Sequence, residues 1–554
     1  MAEPATQSHE FDEDTYDLFG DGEASQNIDF DKIFDDEEAT TPPPQSQPSA
    51  HVPSENTTVS DAATPASTAT SFTSCPYDEN PQHGLGWQRE TFSLTPVWGV
   101  KPTIESIIET LKTRVGRDMT YHVKHWRDGR YNKFYLVSFQ GCHCVMKVTL
   151  PICPALKTES EVATLEWIHR NTALPVPKVK CYDSSRNNPV GFEWILMDRI
   201  EGGPLSECWD NIPDGSLERI VKQIAHYATA AFEKQFSSGG ICNIYPPAPD
   251  SDDPRPGELV WMPFFWGERG YLGYPRGPFR DVRSWNESRL QFAYSNLTTT
   301  MQFMRRSYDE RRDWKVGSRM LKLINRVRLL GHALYPKAGA AEAKNGLDPG
   351  QESRDGGNYG EGVSAASTRV PPVAAAAAEN APEPEPEPTM LWHDNLSLDN
   401  IFVDSSFVLT GILDWECVSC LPLAQACQLP AFLQMRGAAD TERPYAAPTE
   451  DSYIDDDFEL TLPARAAFRR DRRQYAISAC RRVFLREMRR RSPQGWLATY
   501  RRRRSADQRD FEAAVQHCDN EFAYERVERW MDALKRGKAP GEIEPRLHEK
   551  LYSD

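Results

Sequence analysis

The segments "LWHDNLSLDN" (residues 391–400) and "TGILDWE" (410–416) decide how this 554-residue chain is interpreted. Between Asn400 and Asp414 runs "IFVDSSFVLTGIL", whose two apolar stretches predict a β-hairpin. Because a hairpin returns the chain to the same end of a sheet, we expect the two side chains to lie close together. An amide oxygen and a carboxylate are the hard oxygen ligands that Mg²⁺ prefers. Each residue alone is common at a turn or a strand end, but the pair at this spacing behind His393 predicts a metal site.

Two segments of low complexity flank and interrupt the part that is predicted to fold. Residues 1–75 hold sixteen acidic residues against a single Lys, a composition that cannot bury enough apolar surface to fold. Residues 338–388 are rich in Ala, Gly and Pro and end in "PEPEPEPT", which predicts a solvated, disordered insertion. Most of the net charge of −17 therefore belongs to the N-terminal tail.

The sequence between these segments predicts a protein of the α+β class. "KFYLVSFQGCHCVMKVTL" (133–150) predicts two strands around a Gln-Gly turn, and "FEWILMDRIEGGPL" (192–205) predicts another buried strand. Helical spacing of apolar residues marks 103–111, 158–172, 217–236 and 319–335. We therefore predict a β-rich lobe over 76–200, a helical lobe over 201–337 and 389–535, and a C-terminal tail over 536–554.

The order of these elements and the spacing of His393, Asn400 and Asp414 resemble the aminoglycoside phosphotransferase and choline kinase-like family, which shares the two-lobed protein-kinase-like fold. The resemblance covers about residues 100–435 without the insertion and extends more weakly to about 535. It implies an enzyme that binds ATP and Mg²⁺ between its lobes and phosphorylates a hydroxyl of a small molecule. "DWE" stands where a protein kinase has Asp-Phe-Gly, so a protein acceptor is disfavoured.

The resemblance also implies a nucleotide site in the β-rich lobe. Lys147 is a lone Lys in an apolar strand, and the family implies that it contacts the α- and β-phosphates and is held by a helix glutamate. We predict that this glutamate is Glu161, with Glu166 in reserve, although Thr158 and Glu161 also fit a capping box. The backbone from Asp198 to Ile200 is predicted to bind adenine. "GRYNKFYLV" (129–137) takes the place of the phosphate-covering loop but contains a single Gly.

One position departs from the family pattern. Counting back five residues from Asn400 leads to Asn395, where the family has the aspartate that accepts the hydroxyl proton. An amide cannot take that proton at neutral pH, and general-base catalysis contributes about 10²- to 10⁴-fold. Three interpretations stay open: a slow kinase, a kinase in which Asp394 or Asp399 supplies the carboxylate, and a nucleotide-binding pseudokinase or scaffold protein.

Residues 464–504 contain fifteen Arg against two acidic residues. An apolar stripe predicts that this helix packs on the kinase-like body with its Arg outward; the stripe consists of Phe468, Tyr475, Ala479, Val483 and Phe484. The basic face is either simply solvated or binds an acidic partner, such as the chain's own N-terminal tail. Nucleic acid is disfavoured, since no nucleic-acid-binding motif accompanies the stretch.

The remaining sequence features predict a cytoplasmic protein. The first residues are acidic and polar and do not resemble a signal peptide. No apolar run reaches the length of about 18 residues that a membrane span needs. The twelve Cys do not follow a zinc-binding pattern, so we expect reduced thiols.

Overall fold

The N-terminal lobe is built on a five-stranded antiparallel sheet. The computed structural model describes residues 82–89, 94–236, 239–304, 311–335, 386–434, 447–453 and 462–536, with 538, 542–543 and 546–548 beyond them. A hairpin of β1 (Leu85–Arg89) and β2 (Leu94–Trp98) precedes helix α1 (Ile104–Arg114). The sheet has the order β3-β4-β5-β7-β6. Its strands are β3 (His122–Asp128), β4 (Asn132–Phe139), β5 (Cys142–Thr149), β6 (Val179–Asp183) and β7 (Glu193–Asp198).

The hairpin of β4 and β5 gives this sheet two distinct faces. Its turn is the predicted Gln140-Gly141, with φ of 47° and 75°, the left-handed conformation that two-residue hairpin loops require. Because side chains alternate along a strand, every second residue packs against α1 in the lobe's core; these residues are Tyr135, Val137, Met146 and Val148. The opposite face, which we call the cleft face, carries Phe134, Leu136, Val145 and Lys147.

Helix α2 (Leu156–Asn171) crosses the cleft face of the lobe and supplies the predicted acidic residues. It begins two residues before the predicted start at 158. It ends at the predicted position because Pro175 and Pro177 follow shortly afterwards, and proline cannot continue a helix.

The C-terminal lobe is mainly helical, and two of the hydrophobic cores in its described part hold its longer helices together. One core joins α4 (Asp214–Glu233) and α8 (Leu462–Arg491) to the strands within residues 389–422, and the other joins α5 (Val282–Met304), α6 (Arg311–Leu334), α10 (Arg503–His517) and α11 (Tyr524–Lys535). The predicted helices at 217–236 and 319–335 correspond to α4 and α6. The other α-helices in the described part of this lobe are α3 (Leu205–Cys208), α7 (Leu423–Ala426) and α9 (Trp496–Arg501).

The segments 391–400 and 410–416 lie on and between short strands of this lobe. The predicted hairpin is confirmed: Ile401 lies opposite Ile412, and the N-terminal strand of the hairpin also pairs with Gly203-Pro204. The strands of the lobe are β8 (Gly203–Pro204), β9 (Asn243–Tyr245), β10 (Arg255–Gly257), β11 (Thr389–Trp392), β12 (Ile401–Val403), β13 (Leu409–Ile412) and β14 (Ser419–Pro422).

Helix α8 contains residues 464–491 of the Arg-rich stretch and packs along α4. The rest of the stretch includes α9 and the start of α10, so the prediction of one continuous helix over 464–504 is wrong. Of the predicted apolar stripe, Phe484 is buried, and the other four members are half-buried. Eight Arg of this helix are exposed. The apolar stripe of α8 therefore packs inward as predicted. Binding of an acidic partner to its exposed Arg stays a prediction.

The predicted α+β class is confirmed, with a β-rich N-terminal lobe followed by a mainly helical C-terminal lobe. The predicted disordered tail (1–75) and nearly all of the insertion (338–388) lie outside the described residues, as does most of the C-terminal tail. The boundaries assigned to the lobes stay predictions. Among the helices that the structure describes, none is long and apolar enough to cross a membrane.

Candidate functional site

Asn400 and Asp414 meet at one end of the β12–β13 hairpin. A 3₁₀ turn over Leu398–Asn400 leads into β12, and the main-chain N–H of Leu413 donates to the carbonyl of Asn400 at 2.9 Å. Asp414 directly follows β13 with φ of 64°, a left-handed conformation that Asp tolerates better than most residues. The hairpin thus brings the two predicted ligands together, as their spacing in the sequence indicates.

His393 lies behind this pair as a buried support. Its Nε2 is 3.2 Å from the carbonyl oxygen of Leu413, and its ring meets the ring of Trp415 edge-on at 4.6 Å between centroids. Burial lowers the pKa of His393 to about 4, so the imidazole is neutral at physiological pH and Nε2–H donates to Leu413. This geometry supports a positioning role for His393, at the strand end that carries Asp414.

Asn395 is bonded to the predicted metal ligands on both sides. Its side-chain Nδ2 donates to a carboxylate oxygen of Asp414 at 3.1 Å, and its main-chain carbonyl accepts from Nδ2 of Asn400 at 2.9 Å. Asn400 therefore directs its amide nitrogen to the backbone, and its Oδ1 is the atom suited to a cation. The three residues form one hydrogen-bonded unit.

Two carboxylates beside Asn395 were predicted as alternative proton acceptors. Asp394 and Asp399 are both exposed. Partial loss of water around its carboxyl group raises the pKa of Asp394, against the opposing effect of the main-chain N–H groups of Asp394 and Asn395, and the exposure of the residue limits this rise. A carboxylate with a pKa raised toward neutrality suits a general base.

Lys147 is paired with two carboxylates from different lobes. Its Nζ lies 2.9 and 2.7 Å from the two oxygens of Glu161 and 2.6 Å from an oxygen of Glu416. Burial alone would lower the pKa of Lys147, but the attraction of Glu161, Glu416 and Asp414 raises it above its ordinary value. The predicted ion pair of Lys147 with Glu161 is therefore present, and the ammonium is charged next to Asp414.

The same cluster contains three polar residues that the sequence analysis did not single out as site residues. Lys157 Nζ lies 2.6 Å from Glu416 and 3.1 Å from Oδ1 of Asn132, whose Nδ2 donates to Glu416 at 3.0 and 3.1 Å. Burial opposes the charge of Glu416, yet Lys147 and Lys157 hold the pKa of Glu416 well below its usual range. Glu416 belongs to "LDWE" and Asn132 to "GRYN", two segments that the sequence already marks as parts of the site. Lys157 is a single Lys at a helix start, and no distinctive pattern surrounds it.

The capping-box alternative for Thr158 and Glu161 is wrong. Helix α2 has Ala155 as its N-cap, so Thr158 lies inside the first turn. The hydroxyl of Thr158 donates instead to Glu193 at 2.6 Å, and the N–H of Ala155 donates to the same carboxylate at 2.8 Å. Glu161 is thereby left to Lys147. The reserve candidate, Glu166, faces Arg170 on the exposed side of the helix.

The predicted adenine-binding segment follows β7. The N–H of Asp198 donates to the carbonyl of Lys178 at 2.9 Å, and the N–H of Arg199 donates to the carbonyl of His143 at 3.3 Å. These two amides are therefore engaged within the lobe. Contacts of the backbone from Asp198 to Ile200 with adenine stay a prediction.

The donor set fits a magnesium ion that arrives with a nucleotide. Within the described ranges, no three or more His, Cys, Asp or Glu side chains form a metal cage. The protein thus offers the Asp414 carboxylate and the Asn400 amide oxygen, and Mg²⁺ characteristically completes its shell with water and substrate phosphates. Burial and the charge of Glu416 raise the pKa of Asp414 well above its ordinary value, which indicates crowded negative charge that a divalent cation would relieve.

Comparisons with known proteins find partial relatives. No family model matches the chain. A protein of each of two Aspergillus fumigatus strains, named "Subtelomeric hrmA-associated cluster protein", is 34% identical over 164 residues, which is 28% of this chain and 32% of the relative. "Altered inheritance of mitochondria protein 9, mitochondrial" of Zygosaccharomyces rouxii is 34% identical over 110 residues, which is 18% of this chain and 17% of that protein. The chain thus matches about a third or less of the length of these relatives.

Solved structures of aminoglycoside phosphotransferases are similar to the chain at a low level. The apo form of a thermostable mutant of APH(4)-Ia has 12% identity and a TM-score of 0.33, and covers 78% of this chain and 99% of its own. The GDP and kanamycin complex of APH(2″)-IIIa has 10% identity and a TM-score of 0.32, and covers 78% of this chain and 93% of its own.

Proposed function

We propose that the protein binds ATP with Mg²⁺ between its lobes and transfers the terminal phosphoryl group to a hydroxyl of a small molecule. The observation that carries this proposal is the buried ammonium of Lys147, which is held by Glu161 and lies within the electrostatic influence of Asp414. Phosphoryl transfer depends mainly on positioning and on neutralising phosphate charge beside a metal-binding carboxylate. A fixed cation and a candidate metal ligand meet in this way at the junction of the two lobes.

Each residue of the cluster has a role that follows from its contacts. Lys147 binds the α- and β-phosphates, and Glu161 fixes the direction of its side chain. Lys157 adds a second positive charge at the same place. Asn400 and Asp414 hold Mg²⁺, which when bound neutralises the charge on the phosphoryl oxygens.

This chain differs from the family pattern at the residue that removes the proton of the acceptor hydroxyl. Asn395 orients the hydroxyl as a hydrogen-bond partner but does not take its proton. Asp394 is the neighbouring carboxylate with a pKa raised toward neutrality. We therefore propose a slow kinase in which Asp394 supports proton removal, with a small hydroxylated metabolite as the acceptor class that the family resemblance implies.

A non-catalytic nucleotide-binding protein is the second candidate. The specific observation in its favour is the hydrogen bond from Asn395 to Asp414, which ties the residue at the base position to the metal ligand instead of directing it to an acceptor. Such a protein keeps ATP affinity and has no turnover.

Thermal unfolding and ATP turnover together test both candidates. A ligand at 100 times its dissociation constant adds about 2.7 kcal/mol to the stability of the folded state. We expect millimolar ATP to raise the unfolding temperature with Mg²⁺ and to raise it less with EDTA. No rise under either condition would refute nucleotide binding. Turnover above that of Asp414→Ala selects the kinase, and equal turnover selects the pseudokinase.

The cytoplasm stays the proposed location of the protein. The name of the Zygosaccharomyces rouxii relative includes "mitochondrial", so mitochondria are the alternative location to test. Cell fractionation with antibodies against a cytosolic and a mitochondrial marker gives the answer, and enrichment in the mitochondrial fraction would overturn the proposal.

A further inference from the structure

A β-bulge in β3 brings an arginine to the cleft face. His125 lies opposite Tyr135 and Arg127 lies opposite Phe134, so that Trp126 is the extra residue of the bulge. Without the bulge, the regular alternation of side chains would place Trp126 opposite Phe134. A bulge of this kind re-aims a side chain, and such bulges are frequent next to functional sites. Here it places the Arg127 guanidinium opposite Phe134, beside the Trp126 ring, which lies edge-on to Phe134 at 6.5 Å between centroids.

Arg127 shares a row of the sheet with Lys147. Arg127 is opposite Phe134, and Phe134 is opposite Lys147 on the next strand. Directly opposed residues of antiparallel strands project from the same face, and neighbouring strands are about 4.8 Å apart. The two basic residues thus emerge from the same face about 10 Å apart. Two rings support the guanidinium, since its central carbon is 4.7 Å from the Trp126 ring centroid and 5.1 Å from that of Phe134.

The charges around Arg127 come from the opposite lobe. Burial lowers the pKa of Arg127, and the carboxylates of Asp414, Asp399 and Glu207 oppose this effect. An Arg guanidinium stays protonated at any physiological pH. Its acidic neighbours include the candidate metal ligand and a residue of the turn that carries Asn400. Arg127 therefore faces the end of the cleft where a terminal phosphate would lie in the proposed nucleotide site.

We propose that Arg127 binds the terminal phosphate of the nucleotide, a proposal that rests on the nucleotide binding proposed above. The phosphate-covering segment of this chain has one Gly, so it offers little of the closely approaching backbone that a Gly-rich loop provides. A planar guanidinium instead presents parallel N–H donors that match phosphate geometry. Arg127 and Lys147 then contact successive phosphates from one face of the sheet.

The test compares affinities for a non-hydrolysable ATP analogue and for ADP, each with Mg²⁺, by calorimetry. We expect Arg127→Met to weaken binding of the analogue by about 10-fold or more, the effect of losing a charge-assisted hydrogen bond. Binding of ADP, which has no terminal phosphate, should change less than 2-fold. Arg127→Lys keeps a positive charge and should recover part of the affinity for the analogue. Lys124→Met is the matched control, because Lys124 lies opposite Leu136 on the same strand and face, before the bulge.

The outcomes separate this proposal from the one on which it rests. Failure of the wild-type protein to bind either nucleotide would refute nucleotide binding itself. If the wild type binds both, equal losses of analogue and ADP affinity in Arg127→Met, or no loss, would overturn the role of Arg127 alone. An equal loss in Lys124→Met would also overturn it, because the effect would then come from general charge. Unfolding temperatures of the three variants, measured without nucleotide, show whether each is folded.

Discussion

Replacing Glu416 by Gln is expected to destabilise the nucleotide-free protein by about 3–5 kcal/mol, the usual effect of removing one partner of a buried ion pair. The carboxylate of Glu416 lies 2.6 Å from both Lys147 and Lys157 and accepts from Asn132 at 3.0 Å. Gln keeps the volume of the side chain and removes its charge. Lys147 then retains Glu161, whereas Lys157 retains the amide oxygen of Asn132 and lies in a buried environment with excess positive charge.

The pH dependence of this effect follows from the depressed pKa of Glu416. The contribution of a carboxylate whose folded pKa lies below its unfolded value of about 4.3 is complete above that pH. It is lost as the pH falls through the folded pKa, because the unfolded chain then binds the proton first. Since Lys147 and Lys157 hold the pKa of Glu416 well below its usual range, the difference between wild type and variant should be full at pH 7. It should shrink below about pH 4.

Urea unfolding at pH 7 and at pH 3.5, with and without Mg-ATP, measures these effects. Glu109→Gln is the control, because Glu109 is an exposed carboxylate on α1. In the proposed site, bound phosphates replace the lost carboxylate beside the two Lys, so ATP should stabilise the variant more than the wild type. A Glu416→Gln protein as stable as wild type at pH 7 would refute the energetic role assigned to the cluster. An equal response of both proteins to ATP would refute the placement of phosphates beside Lys147 and Lys157.

Three further substitutions and one binding measurement extend the test. Asp414→Ala should abolish the Mg²⁺-dependent part of ATP binding, and calorimetric affinities that do not change would contradict the metal site. Asn395→Asp should raise ATP turnover by up to about 10²-fold in the presence of Mg²⁺ with little change in ATP affinity, because it supplies a proton acceptor; a fall in turnover speaks against this interpretation. Asp394→Asn should lower turnover at least 10-fold if Asp394 supports proton removal, and unchanged turnover excludes it. The isolated acidic segment 1–75 should bind a chain that lacks it in low salt and dissociate in 0.5 M salt, since screening weakens exposed charge pairs; salt-independent binding or none contradicts an electrostatic site on α8.

The sequence predicted the parts of this fold that local patterns determine. Alternation of apolar residues in β4 and β5, with Gln140-Gly141 between them, predicted the hairpin that carries Lys147. The spacing of Asn400 and Asp414 around a second hairpin predicted that the two residues meet. In both cases strand pairing brings together residues that are separated along the chain. The sequence also predicted that Glu161, on a neighbouring helix, pairs with Lys147.

Long-range contacts among polar residues could not be predicted in the same way. The contact of Lys157 with Glu416 joins positions 259 residues apart, and no local pattern marks Lys157. The bulge at Trp126 is also invisible in the sequence, because "HVKHWRD" has no Gly or Pro to signal it. The capping box failed for a related reason: Glu193, 35 residues away, competes for the hydroxyl of Thr158 and allows the helix to begin earlier.

The electrostatics of the cluster give a physical reason for an amide at position 395. Asp414 already shares its surroundings with Glu416 and Glu161, and burial together with these charges raises its pKa. An Asp at position 395, about 3.1 Å from Asp414, would add a further negative charge at hydrogen-bonding distance, which two ionised carboxylates tolerate only with a cation between them. Asn395 instead donates a hydrogen bond that favours the ionised form of Asp414. The amide therefore orients the candidate metal ligand and offsets part of the rise in its pKa before the metal and nucleotide arrive, and it does so by giving up the proton acceptor that fast phosphoryl transfer would use.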